Sequence, residues 1–455
     1  MPHQTDARRR GEEDRGDGHH PCRPEVITRS DHAEGTAARR VRERTACGHQ
    51  FTPHDRGSRR GRVLHPAGAA ARRQPRRPDT GPPLDNAAAA VPGGENWLVL
   101  HRSEGADGSP VATSGVIALP DRTAHPVPAG GYPVISWAHG TVGVANRCAP
   151  SRDRGDTGAS PMNAYPLTLL GHFLDRGWAV AMTDYEALGT GTADRLHPYL
   201  CGRSEAMGVL DIVTAARRLF PGEIGERFAV VGHSQGGQAA LFAAHHAPGR
   251  VEGLVGVAAI APANHLLGLV RGGATLDQMN TGFAFTPLFL AGAIGGDPTI
   301  DPEQVLSPRA FQELWPHVPH RSRAGLSRPD SWGGIRGTEQ FRSGYPGTPN
   351  THQAKFDRQV EAMNPDLPIT VPVRITQAAD DERVRADPAP LPGTDALVEE
   401  LTATNAPRRN IHYRRYEPGA VPADEPLGIH FGTIDHDTAE LTEWLVALLE
   451  DAAHD

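Results

Sequence analysis

Short apolar segments alternate with stretches of helical periodicity from about residue 97 onward. Several of these short segments are apolar throughout, which is typical of strands covered on both faces. The candidate strands lie at 97–100, 115–119, 133–138, 179–183, 228–231, 254–260, 369–376 and 411–416. Strands that alternate with helices in this way favour βαβ units. The pattern therefore predicts the α/β class, with a mostly parallel sheet flanked by helices.

Two of the predicted helices have start signals. Apolar residues recur at helical spacing from Ser204 to Phe220, and Ser204 is the predicted N-cap of that helix. Near the end of the chain, Asp437 and Glu440 have the spacing of a capping box, which predicts the start of a C-terminal helix. Such a start would leave His436 just outside the helix.

The first 90 residues differ from the rest in composition. Residues 1–80 carry 18 Arg against 11 Asp plus Glu, a balance of +7 in a chain whose net charge is −8. This segment lacks apolar periodicity, so we expect residues 1–90 to form a disordered arginine-rich extension. A nucleic-acid-binding arm is the alternative, but the arginines are not interleaved with aromatic residues that could stack on bases. Residues 91–455 are predicted to form one catalytic domain.

No segment has the length of a membrane span, which requires roughly 18 apolar residues. The longest apolar stretch near the N-terminus, residues 87–91, is also too short for a signal peptide. We therefore expect no integral membrane segment. Cys148 and Cys201 could pair as a disulfide in an oxidising compartment, with two free thiols as the equal alternative. The histidines lack metal-ligand spacing, so neither a metal nor another cofactor is expected.

The clearest chemical signal is a serine between a predicted strand and a predicted helix. Residues 228–237 read FAVVGHSQGG, so Ser234 is flanked by Gly232 and Gly236 and followed by an alanine-rich helix at 238–246. A sharp strand-to-helix turn of this kind exposes the serine hydroxyl, and the helix N-terminus behind it offers free N–H groups. Glycines near a serine also occur by chance, but the flanking strand and helix favour a nucleophile.

Such a serine requires an acid and a base, and in this arrangement both follow it along the chain. The strand at 369–376 leads into an acidic loop, where Asp381 is the predicted acid and Asp380 its close rival. A solvated acidic loop is the alternative interpretation. His430 lies between the last predicted strand and the final helix and is the predicted base, with His436 as its rival.

A second loop is predicted to stabilise the negative charge that develops during the reaction. The strand at 133–138 ends in a His-Gly-Thr sequence, and we expect the backbone N–H of Thr141 to face the oxyanion together with that of Gln235. Gly140 is the alternative first donor, and an ordinary tight turn is the alternative without function. Residues 263–368 interrupt the strand rhythm and are predicted to form an inserted helical cap, which is either an acyl-binding lid or an ordinary buried element.

Taken together, these motifs resemble the secretory (LIP-type) lipases of the α/β-hydrolase superfamily. The resemblance covers residues from about 95 to 450 and rests on four motifs: WAHGT at 137–141 followed by CAPS at 148–151, TDYEALGT at 183–190, GHSQG at 232–236, and a histidine 14 residues before Trp444. Two positions depart from the family pattern, since Ala187 and Ala378 stand where glycine is usual. The family is extracellular, although no export signal is visible in this sequence.

The resemblance implies an α/β-hydrolase fold and a lipase or carboxylesterase with a Ser-Asp-His triad at Ser234, Asp381 and His430. The predicted function is hydrolysis of lipid esters, with triacylglycerols as the expected class of substrate, and contact with a lipid interface is an added expectation. A short-chain carboxylesterase, a polysaccharide acyl esterase and a non-catalytic binding protein of the same fold are the alternatives. No nucleic-acid partner is expected.

Overall fold

The computed structural model describes residue 84 and residues 88–154, 161–192 and 195–450. The predicted arginine-rich extension, residues 1–90, therefore lies almost wholly outside the described residues. Eight strands form one sheet in the order β1-β2-β4-β3-β5-β6-β7-β8. Their bounds are β1 Gly94–Glu104, β2 Pro110–Pro120, β3 Tyr132–Ala138, β4 Ala179–Thr183, β5 Ile224–His233, β6 Leu254–Ile260, β7 Val373–Ala378 and β8 Ile411–Tyr416. The pairs from β4 to β8 across the sheet are parallel, whereas β2 pairs antiparallel with β1 and β4.

The predicted fold class is confirmed, and each of the eight predicted segments contributes to a strand. Strand β2 begins five residues earlier than predicted, whereas β7 begins four residues later. Pro372 stands directly before Val373 and cannot donate a backbone hydrogen bond, so a central strand cannot extend through it. The carbonyl groups of Ile369 and Val371 instead accept hydrogen bonds from the side chain of Asn410.

Helices cover both faces of the sheet. Their bounds are α1 Leu167–Asp175, α2 Gly202–Leu219, α3 Gln235–His246, α4 Leu266–Gly273, α5 Phe285–Gly296, α6 Pro302–Val305, α7 Arg323–Leu326, α8 Thr351–Glu361, α9 Thr394–Thr404 and α10 Ile429–Leu449. Apolar residues of α2, α3 and α9 belong to the core on one face of the sheet. Those of α1 and α10 belong to the core on the other face. None of the helices between residues 88 and 450 combines the length and apolar character needed to cross a membrane.

The prediction of Ser204 as an N-cap is wrong. Helix α2 begins at Gly202 with Cys201 as its N-cap, so Ser204 lies inside the first turn and is buried. Its hydroxyl donates to the carboxylate of Glu186 at 2.5 Å instead of capping a helix N–H. A local contact stabilises the helix start instead, since the side chain of Glu205 in the first turn accepts a hydrogen bond from the Leu200 N–H at 2.7 Å.

The predicted capping box at Asp437 is also wrong. Helix α10 begins at Ile429, and Asp437 lies two turns inside it with no exposed surface. The guanidinium of Arg374 on β7 donates to both of its carboxylate oxygens, one of them at 2.7 Å. His436 therefore also lies within the helix, where its ring packs edge-on against Tyr416 with ring centres 4.7 Å apart.

The segment predicted as a cap lies between β6 and β7. Five helices, α4 to α8, connect these two neighbouring parallel strands, and none of their residues joins the sheet. The segment has an apolar core of its own, to which Leu288, Phe289 and Trp332 contribute buried side chains. The apolar residues at 283–294 provide part of this core and, as described below, part of a cavity wall.

Candidate active site

Ser234 occupies the turn between β5 and α3 in a strained backbone conformation. Its φ of 59° and ψ of −117° are unfavourable for a residue with a side chain, and such strain is concentrated at functional sites. The flanking glycines permit the close approach that the turn needs. A Cβ on Gly232 would lie 2.0 Å from the carbonyl oxygen of Gly236, and one on Gly236 would lie 1.8 Å from that of Ala138. The Ser234 N–H donates to the Ile260 carbonyl at 2.9 Å, which ties the turn to β6.

The structure brings Asp381 and His430 together. Oδ2 of Asp381 lies 2.7 Å from Nδ1 of His430, across 49 residues of sequence. The N–H groups of Arg383 and Val384 donate to Oδ1 of Asp381 at 2.8 and 2.9 Å. The side-chain amide of Gln377 donates to Oδ2 at 3.2 Å. The carboxylate is therefore held in one orientation and aims an oxygen at the imidazole ring.

These contacts also decide the charge of the carboxylate. Burial by itself raises the pKa of Asp381 because it disfavours the charged form. The neighbouring His430 and the N–H groups of Val384 and Arg383 outweigh burial, and the net pKa lies below the usual value. Asp381 is thus a carboxylate at neutral pH, as an acceptor for the imidazole N–H must be.

Asp380 and His436, the rival candidates for the acid and the base, have other partners. Asp380 accepts a hydrogen bond from the Gly419 N–H at 2.7 Å, and His436 packs against Tyr416. Neither residue lines the cavity that Ser234 and His430 share. His430 lines that cavity and Asp381 contacts its ring, so the geometry favours these two residues over their rivals.

A cavity of about 660 Å³ contains Ser234, His430 and Thr141 in its wall. Most of the remaining wall comes from the segment between β6 and β7 and is apolar, with Leu266, Leu269, Val270, Leu276, Phe283, Phe285 and Phe289. Within the described residues, the Ser234 hydroxyl has no hydrogen-bond partner, so it is free to meet a ligand. Nucleophile–base hydrogen bonds are often long before substrate binds.

The contacts of the loop after β3 separate the two candidate oxyanion donors. The Gly140 N–H already donates to the hydroxyl of Tyr165 at 2.9 Å. The N–H of Thr141 and that of Gln235, the first residue of α3, have no acceptor among the residues that the structure describes. Free N–H groups are characteristic of a helix start, and they can hold an anion there. The geometry favours Thr141 over Gly140 as the first donor.

Sequence reasoning missed His233 and Tyr165, which connect the parts of the site. Nδ1 of His233 lies 3.3 Å from the Tyr165 hydroxyl, and Nε2 lies 3.0 Å from the carbonyl oxygen of His430. Complete burial, followed by the nearby His430, lowers the pKa of His233 well below its usual value, so the ring is neutral. A neutral ring can accept from Tyr165 at Nδ1 and donate to His430 at Nε2. The position of His233 inside the GHSQG motif was the available signal, whereas Tyr165 lies in no motif.

A buried polar cluster behind the elbow was missed as well. The Gln235 side chain donates to Oε1 of Glu205 at 2.8 Å, and Nε2 of His197 lies 3.2 Å from the same oxygen. Glu205 and His197 have no exposed surface. The cluster therefore fixes the residue whose backbone N–H is a candidate oxyanion donor. A carboxylate on the apolar face of α2 was the signal in the sequence.

Cys148 and Cys201 are free thiols in the structure and do not form a disulfide with each other. Burial raises the pKa of Cys148 to about 12 and that of Cys201 to about 11. Both residues are therefore protonated at neutral pH. Between residues 88 and 450, the described part contains no cluster of three or more His, Cys, Asp or Glu side chains that could hold a metal ion.

Comparison with known proteins agrees with this architecture. The esterase LipA from Xanthomonas oryzae, described as degrading the rice cell wall, superposes with a TM-score of 0.60 at 17% identity, covering 79% of this chain and 92% of that one. Candida antarctica lipase A in its closed state gives 0.56 at 18% identity, covering 74% and 76%. A putative hydrolase from Legionella pneumophila gives 0.58 at 17% identity, covering 80% and 91%. The chain has the α/β-hydrolase fold.

Part of the chain also matches a known protein family. The family model for secretory lipases, LIP, matches residues 160–288, a segment that includes the elbow serine and the beginning of the cap region. This match confirms the resemblance seen in the sequence, and together with the structural neighbours it supports a carboxylic ester hydrolase of the lipase and esterase class. No curated protein matches the chain.

Proposed function

We propose that the protein is a lipid esterase or lipase in which Ser234, His430 and Asp381 act as a catalytic triad. The observation that carries this proposal is the 2.7 Å contact between Asp381 and His430, because it holds the imidazole in the wall of the cavity that contains the strained serine. A serine hydroxyl is a weak nucleophile until a neighbouring base accepts its proton. An imidazole fixed by a carboxylate meets that need.

The reaction proceeds by acyl transfer to water. Ser234 Oγ attacks the ester carbonyl while Nε2 of His430 takes the hydroxyl proton, and Asp381 stabilises the imidazolium through Nδ1. The carbonyl oxygen becomes an oxyanion that accepts hydrogen bonds from the N–H groups of Thr141 and Gln235. His430 then returns the proton to the leaving alcohol. Water, activated by the same imidazole, cleaves the acyl-enzyme and regenerates the serine.

The shape and chemistry of the cavity support a lipid substrate. Its volume of about 660 Å³ is within the range of small-molecule sites, and its apolar wall suits an acyl chain. Leu269 and Leu276 in this wall are 48% and 39% exposed, and the nearby Met279 is 61% exposed. An exposed apolar rim beside an apolar cavity favours contact with a lipid surface.

The triad is tested by replacing the serine. Ser234→Ala should reduce p-nitrophenyl ester hydrolysis by roughly a millionfold, and a fluorophosphonate should label the wild type but not this variant. Ser109→Ala, in the turn between β1 and β2, is the matched control and should keep full activity. His430→Ala and His436→Ala compared side by side test the base. Activity retained by Ser234→Ala, or lost only with His436→Ala, contradicts the proposal.

Substrate class needs a separate experiment. A series of p-nitrophenyl esters of increasing chain length should show rising kcat/KM toward medium and long acyl chains. A maximum at acetate would favour a short-chain carboxylesterase or a polysaccharide acyl esterase instead. Leu269→Ser should lower the hydrolysis of emulsified triacylglycerol more than that of a soluble ester. Leu100→Ser, which replaces a leucine that is 68% exposed on β1, is the control and should change neither rate.

A further inference from the structure

An arginine in the cavity wall has no acidic partner. Arg323 begins α7 and lines the same cavity as Ser234 and His430. Its Nε is buried without a hydrogen-bond partner, and its side chain forms no ion pair within the described part of the chain. The guanidinium lies over the ring of Phe285, 5.0 Å from the ring centre. A face contact with an aromatic ring leaves all N–H donors of the guanidinium unused.

The absence of a partner does not reflect a shortage of acids in this region. Two arginines close in sequence, Arg321 and Arg328, both contact the carboxylate of Asp330 at 3.1 and 3.3 Å. Arg383, which also lines the cavity, contacts Glu382 at 3.3 Å and the Leu427 carbonyl at 2.8 Å. Arg323 alone among these four has a guanidinium without a polar partner in the described residues.

Keeping this charge inside the wall is unfavourable for the folded protein. Burial, together with the positive charge of Arg383, lowers the pKa of Arg323 to about 10, and the group is still protonated at neutral pH. Unpaired buried charges are rare because desolvation is not compensated. A cation kept in a substrate cavity at such a cost points to a ligand that supplies the missing charge.

The arginine is also fixed in position relative to the reacting groups. Its backbone N–H donates to the Val142 carbonyl at 2.9 Å, which attaches α7 to the loop that carries Thr141. The hydroxyl of Thr141 in turn contacts the hydroxyl of Tyr199 at 2.7 Å. The backbone of Arg323 is therefore anchored beside the candidate oxyanion loop, and its guanidinium is held over the ring of Phe285.

We propose that Arg323 binds an anionic group of the substrate, so that the preferred esters carry a carboxylate or a phosphate in addition to the ester that is cleaved. This proposal rests on the proposed function, in which Ser234 cleaves an ester in the same cavity. The guanidinium matches such groups because its N–H donors can form two parallel hydrogen bonds to paired oxygens. The apolar wall then holds the remainder of the substrate.

The experiment compares two esters of equal length. The p-nitrophenyl hemi-ester of adipic acid ends in a carboxylate, and p-nitrophenyl heptanoate ends in a methyl group. In Arg323→Gln, the ratio of kcat/KM for the anionic ester to that for the neutral ester should fall by about 10- to 100-fold, as expected for a hydrogen-bonded ion pair. Arg323→Lys should retain part of the ratio. Arg328→Gln removes the same charge from an exposed site and should leave the ratio unchanged. A ratio in Arg323→Gln equal to that of the wild type overturns the proposal.

A binding measurement separates this proposal from the proposed function. Calorimetric titration of Ser234→Ala with adipate and with hexyl phosphate should show binding that the variant Ser234→Ala, Arg323→Gln has lost. The anion that binds more tightly identifies carboxylate or phosphate as the preferred group. Equal binding of both anions to the two variants, or no binding to either, overturns the anion site even if neutral esters are cleaved. Arg323-dependent binding in a protein that cleaves no ester keeps the anion site and removes the proposed function. Thermal melting checks that each variant is folded.

Discussion

His233 contacts the backbone of His430 directly, with Nε2 of the first residue 3.0 Å from the carbonyl oxygen of the second. The residue before the nucleophile thus holds the main chain of the proposed base, while Asp381 holds its ring. The other nitrogen of His233 lies 3.3 Å from the Tyr165 hydroxyl, which accepts the Gly140 N–H. One chain of hydrogen bonds therefore spans the oxyanion loop, the elbow and the base.

Removing the hydroxyl at the centre of this chain should lower turnover. Tyr165→Phe leaves the Gly140 N–H without its acceptor, and a buried unsatisfied donor costs about 1–3 kcal/mol. The loop that carries Thr141 can relax to regain a partner, and small displacements of a catalytic group cost up to about 100-fold in rate. We expect kcat to fall by about 10- to 100-fold with little change in KM, measured with a soluble p-nitrophenyl ester.

Tyr132→Phe is the matched control for this prediction. Tyr132 is fully buried on β3, and its hydroxyl donates to the His125 carbonyl at 2.5 Å, outside the cavity wall. The Tyr132→Phe variant should lose about as much stability as Tyr165→Phe, but its kcat should be unchanged. If both variants have the same kcat, the role of Tyr165 is structural only.

Gly236→Ala should destabilise the elbow despite the higher helix propensity of alanine. Replacement of glycine by alanine inside a helix gains roughly 0.5–1 kcal/mol. A Cβ at this position, however, lies 1.8 Å from the Ala138 backbone oxygen, and overpacking costs about 1–3 kcal/mol or more. The clash should prevail, with lower stability in urea unfolding and little esterase activity. Gly130→Ala, where a Cβ has no neighbour within 4 Å, should be neutral in both measurements.

Asp381→Asn should reduce kcat by roughly 10⁴-fold, because the amide favours the wrong tautomer of the imidazole.

The lowered pKa of Asp381 adds a prediction about stability. A carboxyl group whose folded pKa lies below its unfolded value, which is 3.8, stabilises the native state above that value and loses this effect as the pH falls through the folded pKa. The difference in unfolding free energy between wild type and Asp381→Asn should therefore be constant from about pH 8 to about pH 5 and shrink below about pH 4. A difference that grows in acid contradicts this assignment.

The elements that could be predicted from the sequence are those whose signals are local. Buried parallel strands require continuous apolar runs, so all eight predicted segments contribute to strands. The elbow has a fixed spacing because the approach of β5 and α3 requires small residues on both sides of Ser234. The order of acid and base along the chain then limits the candidates to two short loops.

The elements that were missed depend on contacts between distant parts of the chain. Ser204 has the residue type of an N-cap, but its hydroxyl bonds to Glu186, 18 residues away. Tyr165 reaches His233 across 68 residues, and no pattern near Tyr165 indicates this partner. Local sequence patterns fail in such cases because a buried hydrogen bond to a distant residue stabilises the fold more than a solvent-exposed helix cap does.

Cys148 and Cys201 should be unreactive in the folded protein and reactive after unfolding. The experiment uses a variant in which Cys22 and Cys47 are replaced by serine. With pKa values of about 12 and about 11, the fraction of thiolate at about pH 8 is about 10⁻⁴ for Cys148 and about 10⁻³ for Cys201, so Ellman's reagent should react slowly with both. Denaturation under non-reducing conditions should expose two thiols per chain. Finding none would show that the two residues pair as a disulfide in solution.

Asp437→Ala distinguishes a helix cap from a buried ion pair. Loss of a cap typically costs about 1 kcal/mol. Removal of one partner of a buried pair costs about 3–5 kcal/mol because the other charge is left without compensation. Asp437 accepts hydrogen bonds from Arg374, from the Thr376 hydroxyl at 2.9 Å and from the Tyr416 hydroxyl at 2.8 Å, so we expect the larger loss in urea unfolding.

The double variant Arg374→Met, Asp437→Leu completes the argument. Apolar residues of similar size remove both charges at once, and such exchanges are often neutral or stabilising. The double variant should therefore be more stable than Asp437→Ala alone, and it should keep esterase activity at low temperature because neither residue lines the cavity. If Asp437→Ala costs no more than about 1 kcal/mol, the carboxylate contributes no more than a cap would. Such a small loss would mean that Arg374 is not destabilised by losing its counter-charge.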